Sequence, residues 1–521
     1  MRITKVVINI LFVAPVLVAA SETAAKASCI EPDNTLLHTL ADMRSPVGSL
    51  QRRYYTAGPA TMSWLDTIAV SQVRATFDYS GQSTPFMVQE GKGHNLYRLE
   101  AESYYPLSSR STVWGNASFT SGVSKDIRYA DCIDYRLLAP FMLGDAKGGD
   151  VTRQRYTFGG GWTHRYGPWA AGISAGYRAE TAHRSHDPRI RDIVSDLTIS
   201  AGGAYSMSAK YLLALDTSIR IYHQNCDVDY YNPANTIMTR LLTGLGNVYN
   251  RFDNNLCNSS GHNLLAYSGA ITLLPSSHGD GLSARIGYTR NSVSMILRDI
   301  NDITLGTTTT QIYQTSVSWH ISCGRAISFL PTLKADASTR GSKENLFGAS
   351  SGNSYEKIGS RNNYSHDMFS ATVCVPVEWQ RADGNLSITV TPTGMFHNDK
   401  ESLTDPARKL QVRRFTASLD IAAAIRPNAN TLVTAGVNGA FSPATARTPV
   451  WGNLNTEEGI GQAVKSNFDM LSSDISHISV RTGISKSIAG KILNLEAFYG
   501  YADFRRLAHG QRAAVTASLI F

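Results

Sequence analysis

Apolar and polar residues alternate with a period of two over many short segments of this chain. In VRATFDYS, Val73, Ala75, Phe77 and Tyr79 fall on one side of an extended strand, and Arg74, Thr76 and Asp78 on the other, because successive strand side chains point to opposite faces. NLYRLEAESYY sets Tyr97, Leu99, Ala101 and Tyr105 against Arg98, Glu100 and Glu102, a charged set that the core of a sandwich would not accept. The same division separates Ala171, Ile173, Ala175 and Tyr177 from Ser174, Arg178 and Glu180. It recurs for Phe415, Leu419 and Ile421 against Arg414 and Asp420, and for Leu493, Leu495 and Tyr499 against Asn494 and Glu496. One such segment fits a soluble antiparallel sheet equally well, so the punctuation between segments decides the class.

Short connections occupy residues 106–111, 164–169, 206–210, 275–281, 322–326, 380–385, 426–431 and 487–491, each rich in turn-forming Gly, Pro, Asn, Asp or Ser. Between them lie longer polar stretches at 125–150, 183–191, 224–262, 298–308, 339–364, 398–409 and 443–473. Short turns on one side and long loops on the other are the arrangement of bacterial transmembrane barrels. These hairpins, with one strand at Ile68–Ser80 and one at Arg512–Phe521, predict an all-β fold. It is a transmembrane antiparallel up-and-down β-barrel of about 18 strands, with 16 or 14 as alternatives. In hydrocarbon every backbone N–H and C=O must find a partner, so strands cross only as a closed cylinder. Tyr104, Tyr105, Trp162, Trp169, Trp319 and Trp379 lie near strand ends and are expected to form interfacial girdles; buried core aromatics are the other reading.

Composition agrees with a surface that does not all face water. Charged residues make up 17% of the chain, below the roughly 25% of soluble domains. The net charge of +8 has no basic block, so nucleic acid is not an expected partner. Residues 1–27 read as a signal peptide: Arg2 and Lys5, then the apolar Val6–Val18, then small residues at Val18-Ala19-Ala20 or Ala25-Lys26-Ala27. This divides the chain into a signal peptide (1–27), an N-terminal periplasmic or lumen-plug segment (28–66) and the barrel (67–521). Cys226 and Cys257 flank one long polar segment and are a possible disulfide in an exported protein. No Cys or Cys/His spacing suggests a metal site, and no cofactor is expected.

The charges on the polar strand faces are candidate lumen-lining residues: Arg74, Asp78, Arg98, Glu100, Glu102, Arg178, Glu180, Asp216, Arg220, Arg414, Asp420, Arg481 and Glu496. Their mixed signs allow either a field that selects solutes or a salt-bridged, plugged interior. NTLLHTLADMRS, with Leu36, Leu37 and Leu40, predicts a short helix. The following SLQRRYY would let Arg52 and Arg53 pair with inward carboxylates as a plug, or else would hang in the periplasm. Residues 455–474 space Ile460, Val464, Phe468 and Leu471 as a helix behind Asn455-Thr456, a candidate lid. GISAG matches the nucleophile-elbow pattern at Ser174 but sits within an alternating strand rather than at a strand-to-helix turn. His183 and His186 near Asp187 and Asp192, and the inward His477, read as loop and lumen residues. No enzyme is expected.

The signal peptide, the alternating strands and the terminal TASLIF resemble Gram-negative outer-membrane β-barrel proteins, over about Ile68 to Phe521. That resemblance implies that Phe521, with Leu519, is the signal read by the barrel-assembly machinery. It also implies residence in the outer membrane, with that machinery and the membrane lipid as partners. Within the class the chain resembles poorly characterised barrels of Bacteroidetes-type bacteria. YYTAGPATMSW (54–64) is similar to the Asn-Pro-Ala element before the first strand of fatty-acid-transporter-like barrels, with Gly58 in place of the Asn. The expected function is a passive or gated channel, or the barrel subunit of an uptake system, for a small or amphipathic solute. The alternative is a structural or assembly barrel that anchors a surface or periplasmic partner protein without conductance. An outer-membrane hydrolase stands third.

Overall fold

The computed structural model describes Leu37 and residues 45–65, 68–232, 238–252, 257–276, 279–324, 326–351, 354–505 and 507–521. The expected signal peptide, and the leucine-rich helix apart from Leu37 and Ser45, lie outside the described residues.

The fold is a closed antiparallel barrel of 18 strands, the first Val70–Gln82 and the last Ala508–Ile520. Strands pair in chain order, and the last closes on the first through Val73↔Leu519, Ala75↔Ala517 and Phe77↔Val515. Ser71 and Phe521 seal the seam by exchanging two backbone hydrogen bonds, each 2.9 Å. No strand edge is left open, which is what a hydrocarbon surround demands. Three strands are interrupted, each at a proline: Ile327–Phe329 and Thr332–Ser351 around Pro331, Ser354–Cys374 and Val377–Gln380 around Pro376, and Thr431–Ser442 and Ala444–Val450 around Pro443. Proline has no N–H to give to the ladder. Its carbonyl still accepts, as Pro331 does from Trp319 (3.0 Å) and Pro376 from Leu330 (3.0 Å).

The outward faces are apolar. Val73, Phe77, Leu99, Ile173, Leu215, Ile271, Leu419, Val480, Leu495 and Val515 all stand exposed on the barrel exterior. An unbroken belt of this kind marks a lipid-facing surface. Tyr105, Trp162, Trp169, Trp319 and Trp379 are exposed near the short-turn end, joined by Tyr205, whose ring lies 4.4 Å from that of Trp169. Tyr104 is a correction: it faces the lumen, and its hydroxyl donates to the Met62 carbonyl at 3.0 Å. Residue parity decides this, because a neighbour of outward Tyr105 must point inward.

Other boundaries also shift. Residues 339–364 form no long loop; the strands run on to Ser351 and resume at Ser354, a two-strand tongue of polar and apolar residues that pair with each other. The first described helix is Pro46–Tyr55. Ser45 caps it, accepting from Gly48 N at 2.9 Å, and Pro46 takes the first turn, where no N–H is needed. The loop helix is Gly459–Leu471, as its spacing predicts, but Glu458 holds the cap position without a side-chain bond and Asn455-Thr456 lies outside it.

Candidate functional site

Two inserts enter the lumen, one from each end. From the short-turn end, the helix Pro46–Tyr55 and the 3-10 turn Thr61–Trp64 pack Tyr54, Tyr55, Ala60, Met62 and Leu65 against Ala170, Ala204, Leu212, Ala214 and Leu274 of the wall. Tyr54 hydroxyl bonds Ser318 Oγ at 2.8 Å, and Tyr55 hydroxyl donates to Pro275 O at 2.8 Å. Arg53 is exposed and makes no ion pair among the described residues, and Arg52 is half-buried; tyrosine rings and apolar contact seat the plug. Gly58 fits because the carboxylate of Asp216 lies where a side chain would begin.

From the long-loop end, a cap spans the mouth. Phe141–Gly144 and Arg240–Thr243, from two different loops, pair as a small ribbon. The ribbon shares an apolar core with wall residues Tyr222, Leu264, Met295 and Phe347. His262 on the wall bonds the Phe141 carbonyl at 3.0 Å, Arg340 donates to Ala139 O at 3.2 Å, and Arg408 donates to Leu245 O at 2.7 Å. Asn467 of the loop helix accepts from Val88 N and donates to Gln89. The cap therefore binds several sectors of the wall at once.

Charge ties the cap down. Arg184 faces Asp145 at 2.5 Å and Asp131 at 3.4 Å, all three fully buried. Burial, helped by nearby Asp145, pushes the Asp131 carboxyl well above the usual range, against the opposing pull of Arg184. Asp134 receives both Arg178 (2.5 Å) and Tyr222 (2.9 Å). Burial pushes its carboxyl up, but these two donors outweigh that and hold it below the ordinary value.

The lumen candidates form distinct groups. Arg74 meets Glu100 and Glu102, at 3.6 and 2.8 Å. Asp78 binds Arg512 at 2.7 Å and borders a cavity of about 280 Å³ that Arg98 also lines. Glu180 is shared by Arg155 and Arg178, and Arg178 and Arg220 both face Asp196. Arg481 grips Asp420 with two bonds of 2.7 Å, and Glu496 accepts from Asn494 at 2.9 Å. Arg414 instead donates to the carbonyls of Ser442, Leu471 and Ser473, fixing the segment that follows the loop helix. Cys226 and Cys257 are a correction: both are free. Cys226 donates to Asp131 O and Cys257 to Ser259 O, so each thiol is committed to a different backbone carbonyl. Phe521 sits at the closing seam.

Beside the plug, inside the barrel wall, lies a chamber of about 690 Å³. The plug contributes Thr56 to Pro59 and Met62 to its lining; the wall contributes Ser174, Ser200, Ser218, Ser268, Thr289, Asp216, Arg285, Lys334 and Asp336. Arg285 Nη1 bonds Asp216 Oδ2 (3.3 Å) and Thr272 Oγ1 (2.6 Å), while its other nitrogen reaches Ala57 O of the plug (3.4 Å). Trp114 completes one rim, lying so close to Gly161 that a β-carbon there would collide with its ring. Sequence reasoning placed Asp216 and Ser174 on polar strand faces but not the other serines. Their inward parity was legible; their alignment across strands was not, because register is a property of pairing. Ser174 sits mid-strand in Trp169–His183, facing the chamber.

This architecture, a closed barrel with an apolar exterior and a polar interior, is of the outer-membrane type. The chain belongs to the family of unknown function DUF6850, whose profile matches residues 59–521. No curated protein matches it. Among solved structures it is similar to the siderophore receptor PiuA of Acinetobacter baumannii (TM-score 0.42, 7% identity, 86% of this chain and 82% of that one). It is also similar to the ferric-catecholate import receptor Fiu of E. coli (0.40, 8%, 88% and 82%) and to the alcaligin receptor FauA of Bordetella pertussis (0.40, 10%, 86% and 76%). The narrower resemblance to fatty-acid-transporter-like barrels gains no support from these matches.

Proposed function

We propose that this protein is an outer-membrane barrel that carries a small solute through its lumen by a gated route, with short turns and plug on the periplasmic side and loops and cap outside. The observation that carries the reading is the polar chamber between the plug and the barrel wall, since a purely structural barrel has no need of a solvent-sized compartment with its own lining. The membrane lipid and the barrel-assembly machinery, through Phe521 and Leu519, are its proposed partners. The mid-strand position of Ser174 supports a transport role over a hydrolytic one, because a nucleophile elbow needs a sharp turn that exposes the serine.

Planar-bilayer conductance of the full protein and of a variant lacking Ser28 to Asp66 tests the route. Conductance that rises on removal of the segment is expected; silence of both proteins sinks the reading. The interlocked loops of the cap favour one second reading, a non-conducting barrel that displays these loops to a surface partner. Silence in both bilayer experiments would leave that reading standing.

A further inference from the structure

Opposite charges on the lumen wall close on each other at several places: Arg74 meets Glu102 at 2.8 Å, Arg220 meets Asp196 at 2.8 Å and Arg481 meets Asp420 at 2.7 Å. Lys334 and Asp336 do not. They stand two residues apart on one strand, with both side chains on the same face and both lining the chamber. That spacing is about 7 Å along the strand, and a lysine is long enough to bend across it. Yet no ion pair joins the two, and among the described residues Lys334 has no hydrogen-bond partner at all. Asp336 accepts only from the neutral Gln314, at 3.3 Å. The chamber therefore keeps one cation and one anion side by side and unspent.

Strand register surrounds each of them with polar groups. Arg285, Ser316 and Lys334 pair in line on three neighbouring strands, and Gly287, Gln314 and Asp336 form the next line; all six border the chamber. Arg285 and Lys334 are thus two strands apart, about 10 Å, with the Ser316 hydroxyl between them. The remaining lining charge, Asp216, is turned aside: its carboxylate packs between Gly58 and Gly202 and accepts from Arg285. Arg285 holds Asp216 and Ala57 O only by long bonds of 3.3 and 3.4 Å, so a carboxylate arriving at Ser316 can draw on its guanidinium as well as on Lys334. Asp336 repels a lone anion there, and Lys334 with Arg285 repels a lone cation. A molecule with a carboxylate and an ammonium a few bonds apart meets both lines at once.

We infer that the chamber binds a small zwitterion, an α-amino acid or short peptide, with its carboxylate on Lys334, Ser316 and Arg285 and its ammonium on Asp336 beside Gln314. This assignment rests on the transport reading and names its substrate class; the volume of about 690 Å³ falls within the usual range for small-molecule sites. The test is calorimetric binding of alanine, glutamine and alanyl-alanine to the full protein in an uncharged detergent, beside succinate, which has carboxylates only, and putrescine, which has ammonium groups only. At least one zwitterion is expected to bind, about tenfold or more tighter than either comparator. Lys334→Met and Asp336→Asn should each weaken that binding about tenfold, the worth of one hydrogen bond to a charged group. In Asp336→Asn, acetylating the ligand's amino group should cost nothing further, a result that a merely structural role of Asp336 would not produce. Faster migration of the unheated barrel on a gel confirms that each variant is folded, and the comparators decide the matter on the wild type if one is not. Binding of none of the three zwitterions, succinate or putrescine binding as tightly as they do, or undiminished binding to either folded variant overturns the assignment. Swelling of protein-loaded liposomes, read in parallel, separates the two ideas: swelling without zwitterion binding defeats only this inference, while no swelling in any solute, with silence in both bilayer experiments, defeats the transport reading.

Discussion

The carboxylate of Asp216 occupies the space that a β-carbon on residue 58 would need. A wall residue and a plug residue are thus fitted to each other, and Arg285, which holds Asp216, also holds the carbonyl of Ala57. Gly58→Val should force the plug from its seat at a cost of about 1–3 kcal/mol, as overpacking does. Trypsin cleavage after Arg52 and Arg53 should accelerate roughly tenfold, and conductance should rise. Asp216→Ala in the same protein should restore much of the wild-type protection; cleavage unchanged by Gly58→Val would show that the fit does not hold the plug.

Arg184 is the buried cation between Asp131 and Asp145. Arg184→Met leaves two buried carboxylates facing each other without compensation, and removal of one partner of a buried pair typically costs ~3–5 kcal/mol. The cap should become protease-sensitive while the barrel keeps its heat-modifiable mobility. Replacing all three by apolar residues should be far milder, which a triple variant checks by the same digestion.

Acid should loosen the cap through Asp134. Its folded-state carboxyl lies below the ordinary value, so its contribution is fully present above the unfolded pKa and is lost as pH falls through the folded one. Asp131, raised by burial, works in the opposite direction at higher pH, between the unfolded pKa and its raised folded one. In Asp134→Asn the acid-induced loosening should disappear, and in Asp131→Asn the tightening that precedes it as pH falls from neutral should be lost. Hydrogen exchange in residues 129–145 between pH 3 and pH 7 reads both; identical profiles in wild type and Asp134→Asn would exclude Asp134 as the group.

The cysteines give a chemical test of the cap. Cys132, Cys226 and Cys257 are buried, and Cys323 is exposed beside its turn. Burial pushes the Cys257 thiol up to about 12, which suppresses the reactive thiolate. A maleimide should label Cys323 within minutes and the three cap thiols only after unfolding. A mass two units low, with neither Cys226 nor Cys257 titrating in denaturant, would mean the disulfide forms after all.

Strand alternation and turn spacing were enough to read the barrel, its eighteen-strand count and its closing strand from sequence, because a two-sided wall between lipid and water leaves a period of two in every crossing. Tyr104 was misplaced because aromatics near strand ends occur on both faces, and only its neighbour Tyr105 reveals the parity. The plug was legible as a segment, but the part of Tyr54 and Tyr55 in its attachment was not, because Arg52 and Arg53 draw the eye. The Arg184 cluster escaped notice because its three members are far apart in the chain and meet only when loops fold inward.

The two inserts in the lumen are held by different kinds of contact. Plug contacts made by Tyr54, Tyr55 and Met62 are uncharged, so a pull on the preceding chain would work against them directly, while the Arg285 bond to Ala57 O adds a charged tie. Cap contacts made by Arg184, Arg178 and Asp134 are ionic and respond to the water outside. If the proposed route is used, two lids held by different sets of contacts would let it be opened one side at a time, as an airlock is.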